Sequence, residues 1–292
     1  VKSFRNKILG NDYVITCEAG PPKGTDVDHI LDELDRIGSS IDAFNVTDQQ
    51  SSVMRLGSLA FSHLISDLGY ETIYQLTCRD RNRIALQSDL LSAEALGLKN
   101  VLALTGDYTT MGDHPGARPV FDLDSPQLLD VIGQLNSGVD MVGNDLEGST
   151  DLFPGAVVNP GADPVEPQLF KARMKEDLGA KFFQTQAIYD PEILRVFVNK
   201  LRKLEVKVPV LAGVLPLKSA GMAKFMNENI AGVCVPDRVI EKLTGAEDVV
   251  EASLDICVEV ICETRDIAQG VHLMPMGWEN QMPELMRRAG LK

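Results

Sequence analysis

Eight times along the chain a short apolar run ends in polar or small residues and gives way to a segment with helical spacing of its apolar positions. The runs are Tyr13–Glu18, Ala43–Thr47, Glu71–Cys78, Asn100–Thr105, Phe153–Val158, Lys181–Gln186, Val208–Leu215 and Gly270–Met276. Between them lie amphipathic stretches. Ile30, Leu31, Leu34 and Ile37 form an i, i+3/i+4 stripe that Asp26 is placed to cap. Met54, Leu56, Leu59, Leu64, Ile65 and Leu68 mark the second helix, and Ile84, Leu86, Leu90, Leu91 and Leu96 the third. Further helices are expected over Pro126–Leu135, Pro164–Leu178, Pro191–Leu204 and Ala220–Glu228. An inserted helical piece, Arg238–Leu243, precedes an eighth helix through Val250, Leu254, Cys257, Val258 and Ile261, and a tail helix covers Gln281–Ala289.

Strands alternating with helices imply parallel pairing through right-handed crossovers. Eight such units close more naturally into a (β/α)8 barrel, a single TIM-barrel domain over residues 1–292 with a C-terminal tail helix, than into an open sheet. An open sheet would carry a Gly-rich dinucleotide fingerprint after a strand, and no GxGxxG occurs there. In a barrel, the C-terminal end of every strand faces one mouth, so residues remote in sequence meet over one pocket.

The balance of 42 acidic against 28 basic residues, a formal charge of −14, opposes binding to nucleic acid or anionic membrane. No apolar stretch approaches the roughly 20 residues of a membrane span. The basic start, Lys2 to Lys7, leads into no secretory apolar core, so a cytoplasmic location is expected. The five cysteines form no CxxC pair and the histidines are scattered, so no metal site is expected.

Chemistry concentrates at the strand ends. Glu18 precedes Ala19-Gly20-Pro21-Pro22; desolvation there would raise its pKa toward general-acid duty, the bland alternative being a carboxylate that accepts backbone hydrogen bonds. Asp107 follows Thr105-Gly106, where glycine allows close ligand approach; it reads equally as a turn cap. Gln184 and Gln186 alternate on one strand and share a face, inward or outward, which periodicity leaves open. Arg79, Arg81 and Arg83 could hold phosphate or a carboxylated tail, or begin a helix capped by Asp80 and Asn82. Lys175 could do similar work from the fifth helix or be solvated. Between Gly106 and Leu123 runs a long connection of the kind that is often functional.

As an ordered set these pieces resemble the methylenetetrahydrofolate reductase family. The matching residues are Glu18 before Pro21-Pro22, Val46-Thr47, Leu76-Thr77-Cys78, Leu104-Thr105-Gly106-Asp107, Asn159-Pro160, Lys175 before Gly179-Ala180, Gln184-Thr185-Gln186 and Gly213-Val214-Leu215-Pro216. The resemblance implies a flavin-binding barrel that interconverts 5,10-methylenetetrahydrofolate and 5-methyltetrahydrofolate. It makes Glu18 the acid that assists ring opening and Asp107 the group that holds the pterin and stabilises the cation. Gln186, with Gln184 beside it, would bind folate. Thr47, Gln75, Thr105, Gly106, Asp107, Asn159 and Lys175 fall at flavin-contacting positions. Gln75 stands where many members have histidine, Thr105 where they have arginine, and Met274 and Trp278 where the common type has tyrosine and arginine.

The expected cofactor is FAD, with FMN as the alternative. The run Thr77 to Arg83 and the ending Val271 to Glu279 look like the branch found in acetogens and related anaerobes. That likeness implies either NAD(P)H or a protein electron donor, such as a small zinc-containing partner subunit, and an oligomer or hetero-complex. Two rival readings keep the barrel: a folate-dependent methyltransferase serving a corrinoid protein, and a non-catalytic subunit of an electron-transfer complex.

Overall fold

The computed structural model describes residues 2–291. Eight strands, β1 (Val14–Ala19), β2 (Ala43–Val46), β3 (Thr72–Thr77), β4 (Asn100–Leu104), β5 (Phe153–Val158), β6 (Phe182–Ala187), β7 (Val210–Val214) and β8 (Gly270–Leu273), close into a barrel in sequence order. All neighbours pair in parallel, and β8 closes on β1 through Thr16 opposite His272. The barrel and its tail helix are thus as the alternation implies.

Eleven helices accompany it among the described residues: α1 (Phe4–Leu9), α2 (Asp28–Gly38), α3 (Ser58–Asp67), α4 (Arg83–Ala95), α5 (Ser125–Asn136), α6 (Glu166–Asp177), α7 (Pro191–Lys203), α8 (Ala220–Asn229), α9 (Asp237–Thr244), α10 (Val249–Thr264) and α11 (Met282–Arg288). Two local expectations fail. Asp26 does not cap α2, whose N-cap is Val27 with no side-chain hydrogen bond. Met54 and Leu56 precede α3, because Gln49 holds Arg55, and Leu56 donates its N–H to the Pro22 carbonyl; both pin that stretch as a loop.

Strand residues alternate between the helix layer and the barrel interior. Ile15, Cys17, Phe44, Val46, Tyr74 and Leu76 face outward into the main core beneath the helices. The inward residues form layers. At the N-terminal end, Val14, Ala43, Ile73, Leu102, Phe153, Phe182 and Leu211 pack with Phe4 and Ile8 of α1. That helix therefore plugs the barrel floor, with the Phe4 ring edge-on to Phe182 at 5.2 Å. Sequence periodicity misses α1 because a helix of six residues carries too few apolar positions to register.

Gly155 makes room for this layer. A Cβ there would lie 2.2 Å from the Phe182 ring, which is fully buried against Phe4 and Phe153 and has nowhere to retreat. Gly155→Ala is expected to lower unfolding stability by about 1–3 kcal/mol, the usual cost of overpacking, measurable by urea denaturation.

Above the floor the interior turns polar. Gln75 donates to Asn45 at 2.8 Å, and Asn45 donates to Gln184, so three buried amides form one chain across the barrel. Thr16 and His272 meet at 3.0 Å on the adjoining strands. Burial lowers the His272 pKa to about 3, so the ring is neutral. The third layer lies at the mouth and carries the candidate chemistry. The long polar connection 137–152 joins α5 to β5 and so lies at the opposite end of the barrel, closed on itself by Asp140, which accepts from Val142 and Asn144.

Candidate active site

β1 brings Glu18 to the mouth two residues above buried Thr16, half-buried beside the β2 end. Gln50 donates its side-chain amide to Glu18 Oε1 at 3.1 Å. Desolvation raises the Glu18 pKa to about 7; the Gln50 hydrogen bond opposes the rise, Glu279 adds to it, and Arg55 opposes it. A carboxyl balanced near neutrality can both give and take a proton at working pH.

Asp107 follows Gly106 in the loop after β4 and is exposed. Gly106 has φ +96°, and a Cβ there would lie 2.9 Å from the Arg79 Cβ, so glycine is required both by conformation and by space. The Asp107 carbonyl accepts from Arg79 Nη1 at 3.4 Å, and the same guanidinium donates to the Gln49 carbonyl at 3.2 Å. Gln49 adjoins Gln50, the partner of Glu18. A single buried arginine therefore ties the loop of Asp107 to the loop that reaches Glu18.

The two glutamines of β6 part company. Gln184 is buried and accepts from Asn45, whereas Gln186 is exposed at the strand end. The register shifts between Gln184 and Ala187, and Thr185 Oγ1 accepts from the Gly213 N–H at 2.8 Å within that irregularity.

The three arginines after β3 are occupied within the chain. Arg79 pairs with Asp80, Arg81 with Asp48 and Asp89, and Arg83 with Asp122. Asn82 caps α4 by accepting from the N–H groups of Ile84 and Ala85.

A cavity of about 240 Å³ opens beside this mouth between the ends of β4 and β5. Its wall includes Thr105, Ser125, Asn159, Lys171 and Lys175. Thr105 accepts from the Ser125 N–H at the start of α5, and Asn159 donates to the Ala231 carbonyl. Lys175 is buried, donates to the Val157 carbonyl at 2.7 Å, and has its pKa lowered to about 8 by desolvation, with Lys171 adding to the fall and Asp124, on the same wall, opposing it. Neither lysine makes an ion pair among the described residues. Thr47 Oγ1 and Asn159 Oδ1 are buried without a hydrogen-bond partner. Lys171 and Lys175 outnumber the one carboxylate on this wall, that of Asp124, so its net charge suits a phosphorylated group.

The sequence reading passes over Gln50, Arg55 and Glu279. The polar run Thr47-Asp48-Gln49-Gln50 after a buried strand is the one signal that could have drawn attention to the first of them.

Comparison with known proteins places this geometry among relatives. A probable methylenetetrahydrofolate reductase (NADPH) of Caenorhabditis elegans is 24% identical over 229 residues, covering 76% of this chain and 33% of that protein. A 5,10-methylenetetrahydrofolate reductase of Pectobacterium carotovorum is 26% identical, covering 70% of this chain and 64% of that one. The matched region thus spans about a third of the first relative's length. Among solved structures, a Clostridium thermocellum protein described as binding two copies of 5-methyl-5,6,7,8-tetrahydrofolic acid shares the fold. Its TM-score is 0.68 at 16% identity, with 98% of this chain and 97% of that one covered. Residues 3–290 match the sequence family described as methylenetetrahydrofolate reductase, and with that coverage the chain belongs to the methylenetetrahydrofolate reductase family.

Proposed function

We propose that this chain is a flavin-dependent reductase that interconverts 5,10-methylenetetrahydrofolate and 5-methyltetrahydrofolate, with Glu18 as general acid. The observation that carries the reading is a half-buried carboxyl balanced at about 7 on the first strand of a barrel of this family. A protonated Glu18 gives its proton to the leaving nitrogen as the five-membered ring opens, leaving a 5-iminium cation. Asp107, free of side-chain partners among the described residues, faces that charge as a carboxylate. Gln186 offers an exposed amide that can both donate to and accept from a pterin edge. Gln184 spends its oxygen on Asn45, which leaves its amide nitrogen for the substrate side.

Flavin, when bound, supplies the hydride. The cavity wall fits its phosphate: Lys175 and Lys171 provide charge, and Thr105 and Asn159 shape the sides. Thr47 contributes its orphaned hydroxyl, and Gln75 a buried carboxamide that Asn45 orients by accepting from its nitrogen. Gly106, packed against Arg79 and Thr77, keeps the backbone turn that carries Asp107. The choice between FAD and FMN, and between NAD(P)H and a zinc-containing partner subunit as donor, belongs to this proposal and is tested by reducing the loaded protein with each candidate.

Purified protein should be yellow or take up added flavin, and a preparation that does neither contradicts the reading in favour of a flavin-free methyltransferase. Lys175→Met should weaken flavin binding by about 10- to 100-fold, the loss of a charge-assisted contact, measured by fluorescence titration. Undiminished affinity in that variant would remove Lys175 from the flavin site. No helix among the described residues is long and apolar enough to cross a membrane.

A further inference from the structure

The segment between β2 and α3 is built in an unusual way. Gln49, Ser51 and Ser52 all adopt left-handed backbone conformations, with φ of 50°, 54° and 60°. Side chains disfavour that region, so the turn persists only because its surroundings hold it. The holding contacts come from within the turn and from three neighbouring loops. Gln49 Oε1 accepts from the Arg55 N–H at 2.7 Å while its Nε2 donates to the Arg55 carbonyl at 3.0 Å, closing the turn on itself. Arg55 Nη1 donates to the Pro21 carbonyl in the loop after β1. Arg79, after β3, donates to the Gln49 carbonyl. Gly112, in the long loop after β4, sits so close that a Cβ would fall 1.8 Å from the Ser52 carbonyl oxygen.

What this clamped turn presents to the mouth is one neutral amide, that of Gln50, at 3.1 Å from Glu18 Oε1. An exposed glutamine tethered to nothing would sample many rotamers and make such a bond rarely. A backbone closed on itself and held by three neighbouring loops narrows that choice.

We propose that Gln50 is a positioning residue for Glu18: the strained turn Gln49–Arg55 exists to hold the Gln50 amide against the acid, fixing which carboxyl oxygen faces the substrate. This inference rests on the acid role proposed above. With Oε1 occupied by a donor that cannot be protonated away, the proton of Glu18 is directed to Oε2, the oxygen left to face the leaving nitrogen. The bond also favours the ionised carboxylate and so keeps the acid strong enough to release its proton. The other groups around Glu18 are Glu279 beyond β8, which opposes ionisation, Arg55, which favours it, and the buried thiol of Cys17. None of them is altered by a change at position 50.

The test is Gln50→Met, which keeps the length of the side chain and removes the donor. Titration of isotope-labelled glutamate carboxyls by NMR in the flavin-free protein, with Glu18 assigned through Glu18→Gln, should show its midpoint rising by about one unit. In the flavin-loaded enzyme kcat should fall about tenfold on the acid plateau, its alkaline limb should move up with the midpoint, and KM for the folate should be little changed. Gln50→His, which restores an N–H donor, should recover part of both effects. An unmoved midpoint in Gln50→Met overturns the proposal, whatever happens to the rate, because that is the result a merely structural role gives. Failure of the acid role itself would show separately, as wild-type folate turnover that survives Glu18→Gln.

Discussion

Glu18→Gln is expected to abolish folate turnover, with kcat reduced by at least about a hundredfold, while bound flavin remains reducible by its electron donor. Two measurements separate this from general damage: the flavin half-reaction, which should proceed at the wild-type rate, and the pH profile. In the wild type, the rate in the reducing direction should fall as pH rises through about 7, the Glu18 midpoint, because the acid must carry its proton. The variant should lose that limb.

Stability supplies an independent check, with opposite sign to activity. The carboxyl is raised from its ordinary 4.5 to about 7 on folding, so the folded state disfavours its ionisation. That penalty is absent at pH below the unfolded value, grows between the two values and is complete above the folded one. A neutral glutamine escapes it. The Tm of Glu18→Gln relative to wild type should therefore rise between pH 4.5 and about 7 and be flat at more acid pH. A variant that keeps full turnover, or whose relative Tm falls over that range, would remove Glu18 from the proposed role.

The second large effect is expected at Asp48. Its carboxylate is fully buried, accepts from the Thr77 N–H at 2.9 Å and the Thr77 hydroxyl at 2.8 Å, and receives Arg81 through both terminal nitrogens at 2.7 and 3.2 Å. It thereby locks the end of β2 to the end of β3 immediately before the strained turn. Asp48→Ala leaves a largely buried guanidinium with Asp89 as its one carboxylate partner among the described residues, beside the Thr77 carbonyl, and an orphaned N–H on Thr77. Removing one partner of a buried ion pair costs about 3–5 kcal/mol, readable as a lowered urea midpoint. Because Gln49 and Gln50 follow directly, folate turnover should fall as well, even at temperatures where the variant stays folded. A loss of under about 1 kcal/mol, typical of exposed pairs, would mean that Arg81 and Asp89 hold the site without it.

Much of the architecture is legible in the order of residues. The eight apolar runs coincide with the eight strands, because a strand flanked by neighbours and covered by helices must be apolar over most of its length. The polar strand ends were likewise readable as the mouth, since the topology sends them all one way. Membership of the family rests on pieces visible in the same string, and Glu18 stands out in it as a carboxylate closing an apolar strand.

Other features were out of reach for particular reasons. Gln184 and Gln186 share a sequence period, yet one is committed to Asn45 inside the barrel and the other is exposed. Alternation assigns a face but not a depth along the barrel axis. Arg79, Arg81 and Arg83 look like an anion site in a line of sequence; their carboxylates arrive from Asp48, Asp89 and Asp122 as well as the adjacent Asp80.

By itself, then, the order of apolar and polar residues determined strand count, the helices that alternate with the strands and the rim on which the candidate groups gather, because these depend on burial, which is local in a repeating fold. Only the tertiary structure decided which polar groups touch: the Gln50 amide on Glu18, the Arg79 bridge between two loops, and the cationic cavity of Lys171 and Lys175. Hydrogen bonds and ion pairs require matches of a few tenths of an ångström between segments far apart in the chain, and such matches are set by how the strands and helices pack.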